Sequence, residues 1–482
     1  MHVAAKRKII NSFLKSTDYF KTICQKLRGI GKSKKIFLEV LLMKRRIALL
    51  LASAMLLTSA VAGLTSCSDD EGGSGSGKKG HVYYLNFKPE VDKQWQELAA
   101  KYTEETGVQV DVVTAADNKY MEKLTTEIAK EDAPTLFQIS GVADLATWDE
   151  YCYDLTGSDP INELSSTAYA LKNSEGKIKG LGYVSECFGI IVRKDLLEKA
   201  GHTLDEIKSF ETLKAVAEDI TARKEELGFS AFTTPSLGTG NTWRLTNHLS
   251  NIPLFYEFKA DGLSADNPPA TIKGTYLDQY RQMIDLYLNN ATVEPSVATG
   301  TTVDDARAEF IDGKAVFFQN GDWEYGNITK DGKVTNDQLA MIPMYIGVEG
   351  EENQGICAGT QAYWAVNGDA AEEDIQATLD FMKWLMTSDT ATTALADEMG
   401  FSCTFKSAKT PQNYLDKFNN DYAVAGKEVV TWAFTAQPSE NYQLELGSAL
   451  SSYAVKMDDA SWGAVKAAFV DNWATEYAAA HE

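Results

Sequence analysis

The chain has 482 residues, 46 Lys and Arg against 68 Asp and Glu, a formal net charge of −22, and 44% hydrophobic residues. Of those charges 13 basic and 2 acidic side chains lie in residues 1–66, which leaves 33 and 66 beyond them and a net charge of −33. A body so acidic excludes nucleic acid as a partner, because phosphate binding needs clustered Lys and Arg, and it excludes adsorption of the bare protein to anionic lipid.

Residues 1–42 are basic and mixed, with Lys and Arg scattered through KRKIINSFLKSTDYFKTICQKLRGIGKSKK. They do not read as a signal, and Met43 is the expected start, residues 1–42 being a non-native extension or a long prefix. Residues 43–66 carry the export pattern: Lys44, Arg45 and Arg46, then an apolar run from Ile47 to Leu57, then small residues. The run is shorter than the roughly 20 residues a spanning helix needs. The ending Leu64-Thr65-Ser66-Cys67 resembles the lipobox of bacterial lipoproteins. That resemblance implies cleavage before Cys67, acylation of Cys67 with diacylglyceryl and palmitate groups, and a membrane anchor on the extracellular face. The alternative is an ordinary signal peptide with an incidental Cys. Residues 67–80, CSDDEGGSGSGKKG, have nothing to bury and read as a flexible tether.

The 416 residues after residue 66 exceed what one core organises, so two lobes are expected. In chain order, VYYLNF (residues 82–87) is a strand. Val91, Trp95, Leu98 and Tyr102 fall at helical spacing and Gly107 stops that helix. Residues 108–113 are strand, Tyr120, Met121, Leu124 and Ile128 helix, and residues 135–139 strand. Such alternation implies a mostly parallel sheet flanked by helices, with ligands beyond the C-terminal strand ends. Asn86, Phe87, Lys88 and Ser140 then lie at the rim of a cleft. A second α/β unit starts near Gly189. It comprises a strand at 190–192, helices at 196–200 and 213–227, and a strand at 315–319. A strand at 363–366 and a helix at 373–386 follow. Trp462, Val465, Phe469 and Trp473 make a last amphipathic helix.

Cys152, Cys187, Cys357 and Cys403 form no C-x-x-C, and His81, His202, His248 and His481 are scattered, so spacing yields no metal site. Cys357 and Cys403 are a disulfide or two buried thiols. The stretch 331–337, DGKVTND, lacks the Gly of a calcium loop and reads as a solvated turn. No cofactor is expected.

Several segments in order resemble the extracellular solute-binding proteins of carbohydrate importers, the maltose-binding group. They are VYYLNFKPEVDKQWQELAAKYTEETGVQVDVV (82–113), GLGYVSECFGIIVRKDLLEKAG (180–201) and AVFFQNGDWEYGNI (315–328), then GICAGTQAYWAVN (355–367) followed by DIQATLDFMKWLMTSD (374–389) and MGF (399–401). The resemblance implies a two-lobed periplasmic-binding-protein-like fold of class II, each lobe an α/β sheet flanked by helices, joined by a hinge. Lobe one would be 81–187 and 348–402, lobe two 188–347 and 403–482. It implies a non-enzymatic, monomeric, lipid-anchored receptor that captures a carbohydrate, an oligosaccharide, and delivers it to integral-membrane ABC permease subunits. Segment 235–260 and the C-terminal part of lobe two match the group weakly.

A sugar offers apolar C–H faces and hydroxyl edges, so its site needs aromatic rings and planar hydrogen-bonding groups. Trp323 in the GDW turn is the first stacking candidate, Trp243 after GTGNT the opposing ring, and Trp364 a third. Trp95, Trp384, Trp462 and Trp473 sit on helical apolar stripes and read as core. The polar candidates are Asn86, Lys88, Ser140, Glu186, Asp322 and Gln361, with Phe87 beside them. Glu186 and Asp322 rank above nearby Ser and Thr because charged acceptors bond more strongly. Alternatives are a receptor for a peptide or polyamine, a surface glycoside hydrolase, and an adhesin. No G-x-S-x-G, H-E-x-x-H or G-x-x-x-x-G-K-[ST] is present, and no internal repeat.

Overall fold

The computed structural model describes residues 79–116 and 119–480. The leader, Cys67, His481 and most of the tether lie outside them.

Thirteen strands are described: β1 His81–Asn86, β2 Gln109–Thr114, β3 Leu136–Ile139, β4 Ala170–Lys172, β5 Ile178–Gly182, β6 Val184–Arg193, β7 Ser230–Phe232, β8 Ala315–Gly321, β9 Leu339–Ile342, β10 Gln354–Gly359, β11 Tyr363–Val366, β12 Ser402–Cys403 and β13 Glu428–Thr431. They make two sheets, one in the order β2-β1-β3-β11-β5-β4 and one in the order β13-β10-β6-β8-β7. β1 runs parallel to β2 and β3, and β7 runs parallel to β8. β6 is antiparallel to β8, β9, β10 and β12. The difference follows from connectivity: a parallel partner needs a covering crossover, whereas β6 arrives directly from the other sheet.

The chain passes between sheets at Tyr183, the single residue between β5 and β6, and again at residues 360–362, between β10 and β11. β12 then pairs with the start of β6. Both passages lie inside the bounds expected for lobe one, 81–187 and 348–402, because β6 from Val184 and β10 from Gln354 belong to the second sheet.

Both sheets are buried on both faces. Val82 and Tyr84 of β1 face the helices Asp92–Thr106 and Glu372–Thr387 through Trp95, Leu98 and Phe381. Leu85 faces the opposite side, where Tyr120, Leu124 and Leu145 pack. The helix from Asp92 ends as expected at Gly107, whose φ of +71° suits a residue without Cβ. Along β6, Phe188, Ile190 and Val192 enter the large core under the helices Phe210–Ala222, Ser250–Asp261 and Leu277–Asn289. Cys187 and Ile191 enter a smaller core with Phe310 and Leu415. The helix from Phe210 opens with a capping box between Ser209 and Thr212. Trp462, Val465, Phe469 and Trp473 are all buried, as their spacing predicts.

Cys357 and Cys403 are both free thiols. On β6 their cross-strand partners are Phe188 and Val184, four residues apart and so about 13 Å along the strand. No helix among the described residues is long and apolar enough to cross a membrane.

Candidate functional site

The end of β8 carries the GDW turn. Gly321 is the last residue of β8, and a Cβ there would fall 2.2 Å from the ring of Trp323. The missing side chain is what lets the indole lie across the backbone. Trp243 precedes the π-helical segment Arg244–Leu249, and its ring centroid is 6.3 Å from that of Trp323 at 45°. The Arg244 guanidinium lies 4.6 Å from the centroid of the Trp243 ring, a cation–π contact. Both indoles are half-buried. Trp243 Nε1 is itself buried and has no hydrogen-bond partner, a donor left for something else to satisfy.

The indoles rest on a second aromatic layer. His248 lies 5.5 Å from Trp323 and stacks on Phe188 at 4.0 Å and 9°. Trp432 and Phe434 also pack against Phe188, with ring centroids 5.4 Å and 6.1 Å from it. Gln319 Nε2 donates to His248 Nδ1 at 2.9 Å. Burial, then the neighbouring Arg244 charge, pushes the His248 pKa well below its ordinary value. The ring is therefore a neutral platform at physiological pH.

The rim of the first sheet faces this end of the second: a Cβ on Gly141 would lie 3.6 Å from Thr435 Cβ. At that rim Lys88 Nζ donates to Glu186 Oε1 at 2.6 Å, with both side chains buried. Burial opposes the ammonium, but Glu186 and Glu90 outweigh it and hold the Lys88 pKa above its ordinary value. The pair ties the end of β1 to the start of β6. The Lys88 ammonium also sits 5.9 Å and 5.7 Å from the Phe87 and Phe401 ring centroids. Phe87 is half-buried and meets Tyr120 edge to face. Ser140 donates its backbone N–H to Asp144 Oδ2 at 3.0 Å, and Gln361 is half-buried in the passage between β10 and β11.

Three expected contacts are placed elsewhere. Trp364 is fully buried: it stacks on Tyr183 at 4.2 Å and donates to the Tyr84 hydroxyl at 3.3 Å. β11 lies inside the first sheet, so Trp364 is a core residue of the passage between sheets. Asn86 is also fully buried; its Nδ2 donates to Lys88 O and Thr114 Oγ1, and its Oδ1 accepts from Lys88 N. It positions Lys88, and both ends of its buried amide are already bonded within the protein. Asp322 turns away from the indole beside it. Its Oδ2 accepts from Cys187 Sγ at 3.5 Å, and Cys187 lies on the face of β6 opposite Phe188 and its aromatic layer. Burial, then Glu186 and Asp416, pushes its pKa well up.

His248, Phe434 and Trp432 belong to the site's platform and were not singled out in the sequence: His248 lies in the mixed segment RLTNHLSN, which carries no motif, and the other two lie in VVTWAF, which reads as core.

The family of bacterial extracellular solute-binding proteins matches residues 97–426. No curated protein matches the chain in sequence. Among solved structures, RafE in complex with raffinose is 15% identical, with a TM-score of 0.65 over 83% of this chain and 100% of that one. A chitin oligosaccharide binding protein is 17% identical, at 0.66 over 84% and 100%. A sugar transporter from Bacillus licheniformis in complex with stachyose is 16% identical, at 0.59 over 83% and 100%. At these identities the likeness is one of fold.

Proposed function

From the premise that the chain belongs to the bacterial extracellular solute-binding protein family, we propose that it is the substrate-binding subunit of an ATP-driven importer, and that its ligand is a carbohydrate, an oligosaccharide. Membership in a solute-binding family sets the hydrolase and adhesin alternatives aside. The observation that carries the carbohydrate reading is the pair of converging indoles, 6.3 Å between centroids at 45°, with the buried Nε1 of Trp243 unsatisfied. Indole faces suit the C–H faces of a sugar, and the free N–H suits a hydroxyl. The structural neighbours holding raffinose and stachyose support the same reading.

Trp323 and Trp243 stack the sugar. Lys88, Glu186, Gln361, Ser140 and Phe87 form the opposing rim, where Lys88 and Glu186 can each exchange part of their mutual bond for hydroxyls. The lobes divide at the passages between the sheets, Tyr183 and residues 360–362, inside the bounds 81–187 with 348–402 and 188–347 with 403–482 expected from the sequence. A sugar that touches both lobes lowers the free energy of the closed form alone, and the closed form docks on the permease. Cys67 carries the lipid, so a single monomer is held on the extracellular face by the tether of residues 68–80.

The test is a thermal-shift screen of mono- and oligosaccharides on the wild type and on Trp323→Ala. One sugar class should raise the wild-type Tm without turnover and fail to raise that of the variant. A sugar that stabilises both equally sinks the site assignment. A peptide or polyamine that stabilises the wild type where every sugar fails sinks the carbohydrate reading.

A further inference from the structure

The face of the second sheet that turns away from the indoles holds a side-chain cluster that ligand stacking does not use. Cys187 Sγ, an oxygen of Asp322 and an oxygen of Asp416 all lie within 4.8 Å of one another. They come from three separate segments: β6, the turn after β8, and the first residue of the helix Asp416–Val424. Cys187 Sγ and Asp322 Oδ2 are 3.5 Å apart. A thiolate at about 2.3 Å and a carboxylate oxygen at about 2.0 Å from a tetrahedral zinc ion are themselves roughly 3.5 Å apart, so the two need not move to share one.

The charge and hydrogen-bond state of the cluster points the same way. Asp322 is 4% exposed, and its Oδ1 is buried without a hydrogen-bond partner. Asp416 is oriented by the Ser402 hydroxyl, which donates to its Oδ2 at 2.8 Å. No described ion pair reaches Asp322 or Asp416. Lys88, which senses the Asp322 charge, is committed to Glu186 at 2.6 Å. Buried carboxylates are kept where a cation or enough donors meet them, and here the protein supplies neither in full.

We infer that Cys187, Asp322 and Asp416 form a binding site for one divalent transition-metal ion of the zinc class, with a water as fourth ligand. The sulfur ligand selects against calcium and magnesium, which take oxygen donors. Binding releases the Cys187 thiol proton, and any proton held by the two carboxyls, to solvent. Three anionic donors then face the two positive charges of the ion, and no electron is transferred. Asp416, 9% exposed against 4% for Asp322 and 0% for Cys187, is the member of the cluster nearest solvent. Because Asp322 precedes Trp323, a bound ion would also brace the turn that presents the indole. The inference stands on this cluster alone and not on the carbohydrate reading.

The test uses the full chain, reduced and stripped with a chelator, then titrated with Co2+ as the spectroscopic substitute for zinc. One equivalent should produce a thiolate-to-cobalt charge-transfer band in the near ultraviolet with intense visible bands of tetrahedral Co2+, and one equivalent of Zn2+ should abolish both. Cys187→Ser should lose the charge-transfer band, Asp416→Asn should bind at least tenfold more weakly, and Cys403→Ser should behave as wild type. Zn2+ in about 100-fold excess over its Kd should raise the wild-type Tm by roughly 3 °C, and that of Asp416→Asn by less. Circular dichroism checks that each variant is folded; should Cys187→Ser fail to fold, the Asp416→Asn comparison decides. Absence of the band in the wild type, or a band of equal strength in Cys187→Ser, overturns the site. So does a zinc-induced Tm rise that is the same in wild type and Asp416→Asn.

Discussion

Replacing Glu186 by Gln isolates the buried ion pair at the passage between the sheets. Lys88 and Glu186 are only 4% and 6% exposed and meet at 2.6 Å. Removing one partner of such a pair costs about 3–5 kcal/mol, because the other charge is left stranded out of water. A ceiling follows from chemistry: Lys88 can instead give up its proton. From an ordinary Lys pKa of about 10.4, at about 1.36 kcal/mol per pH step, that escape costs about 4.6 kcal/mol at pH 7. The Gln carbonyl still accepts one hydrogen bond, which moves the expectation toward the lower end, about 3 kcal/mol. At pH 9 the same ceiling has fallen to about 1.9 kcal/mol. In the wild type the folded-state Lys88 pKa is raised. Its contribution is therefore fully present below the unfolded value and lost only as pH rises through the folded one. In the variant only Glu90, 3.9 Å from Lys88 Nζ, still offsets the burial of the ammonium, so the Lys88 pKa falls from its wild-type value and the penalty shrinks as pH rises. Urea unfolding followed by circular dichroism should thus show a gap between the two proteins near 3 kcal/mol at pH 7 and under about 2 kcal/mol at pH 9. A gap below about 1 kcal/mol at pH 7, or one that does not narrow by pH 9, would refute the ion-pair account.

Gly321→Ala places a Cβ 2.2 Å from the Trp323 ring, so the indole must move. Affinity for the sugar that stabilises the wild type should fall about tenfold or more by calorimetry, equivalent to about 1.4 kcal/mol, and unchanged affinity would count against the stacking role. Trp364→Ala should cost about 3–5 kcal/mol in urea unfolding, as for other buried Trp truncations. It should keep the sugar-induced Tm rise, whereas a direct ligand contact would lose it. His202 bridges Asp219 at 2.8 Å and Glu206 at 3.0 Å. Burial opposes its charge, but the two carboxylates raise its pKa. Its contribution is present below the unfolded His value of about 6.5 and fades as pH rises through the folded one. His202→Gln should therefore lower the urea midpoint more at pH 5.5 than at pH 8.5, and equal lowering at both would refute the coupling.

The first sheet was legible because its segments switch cleanly between a period of two and a period of 3.6, and Gly107 marks a helix end that needs φ of +71°. β6 was read too short, as residues 190–192, although it runs Val184–Arg193. Its first half, VSECFG, mixes Ser, Glu, Cys and Gly because it changes sheets and meets a different neighbour at each step. Gly189 fits there since a Cβ would lie 2.5 Å from Ile342 O. The paired indoles were legible as Trp residues in a turn and a loop, where aromatic rings have no core to fill. Trp364 was not separable from them, because a strand buried on both faces shows no alternation to say which residues can reach a ligand. Cys187 and Asp322 meet across 135 positions of sequence, which no local motif can express.

The parity of one strand separates two chemistries at the same place. Phe188 supports the aromatic platform and Cys187 the acidic cluster, and the GDW turn divides the same way, with Trp323 on the first face and Asp322 on the second. Glu186, one step earlier, reaches back to Lys88 of the first sheet. Three consecutive residues of β6 therefore connect the other lobe, the acidic cluster and the stacking platform. A rotation of the lobes about Tyr183 must change the surroundings of Glu186 first, since its partner sits on the other sheet. The platform behind Phe188 is packed wholly by the second sheet and its helices, so it can stay rigid while the rim moves. On the proposed stacking role, that division gives a closing receptor what it requires: a fixed surface for the ligand and a charged contact whose geometry depends on closure.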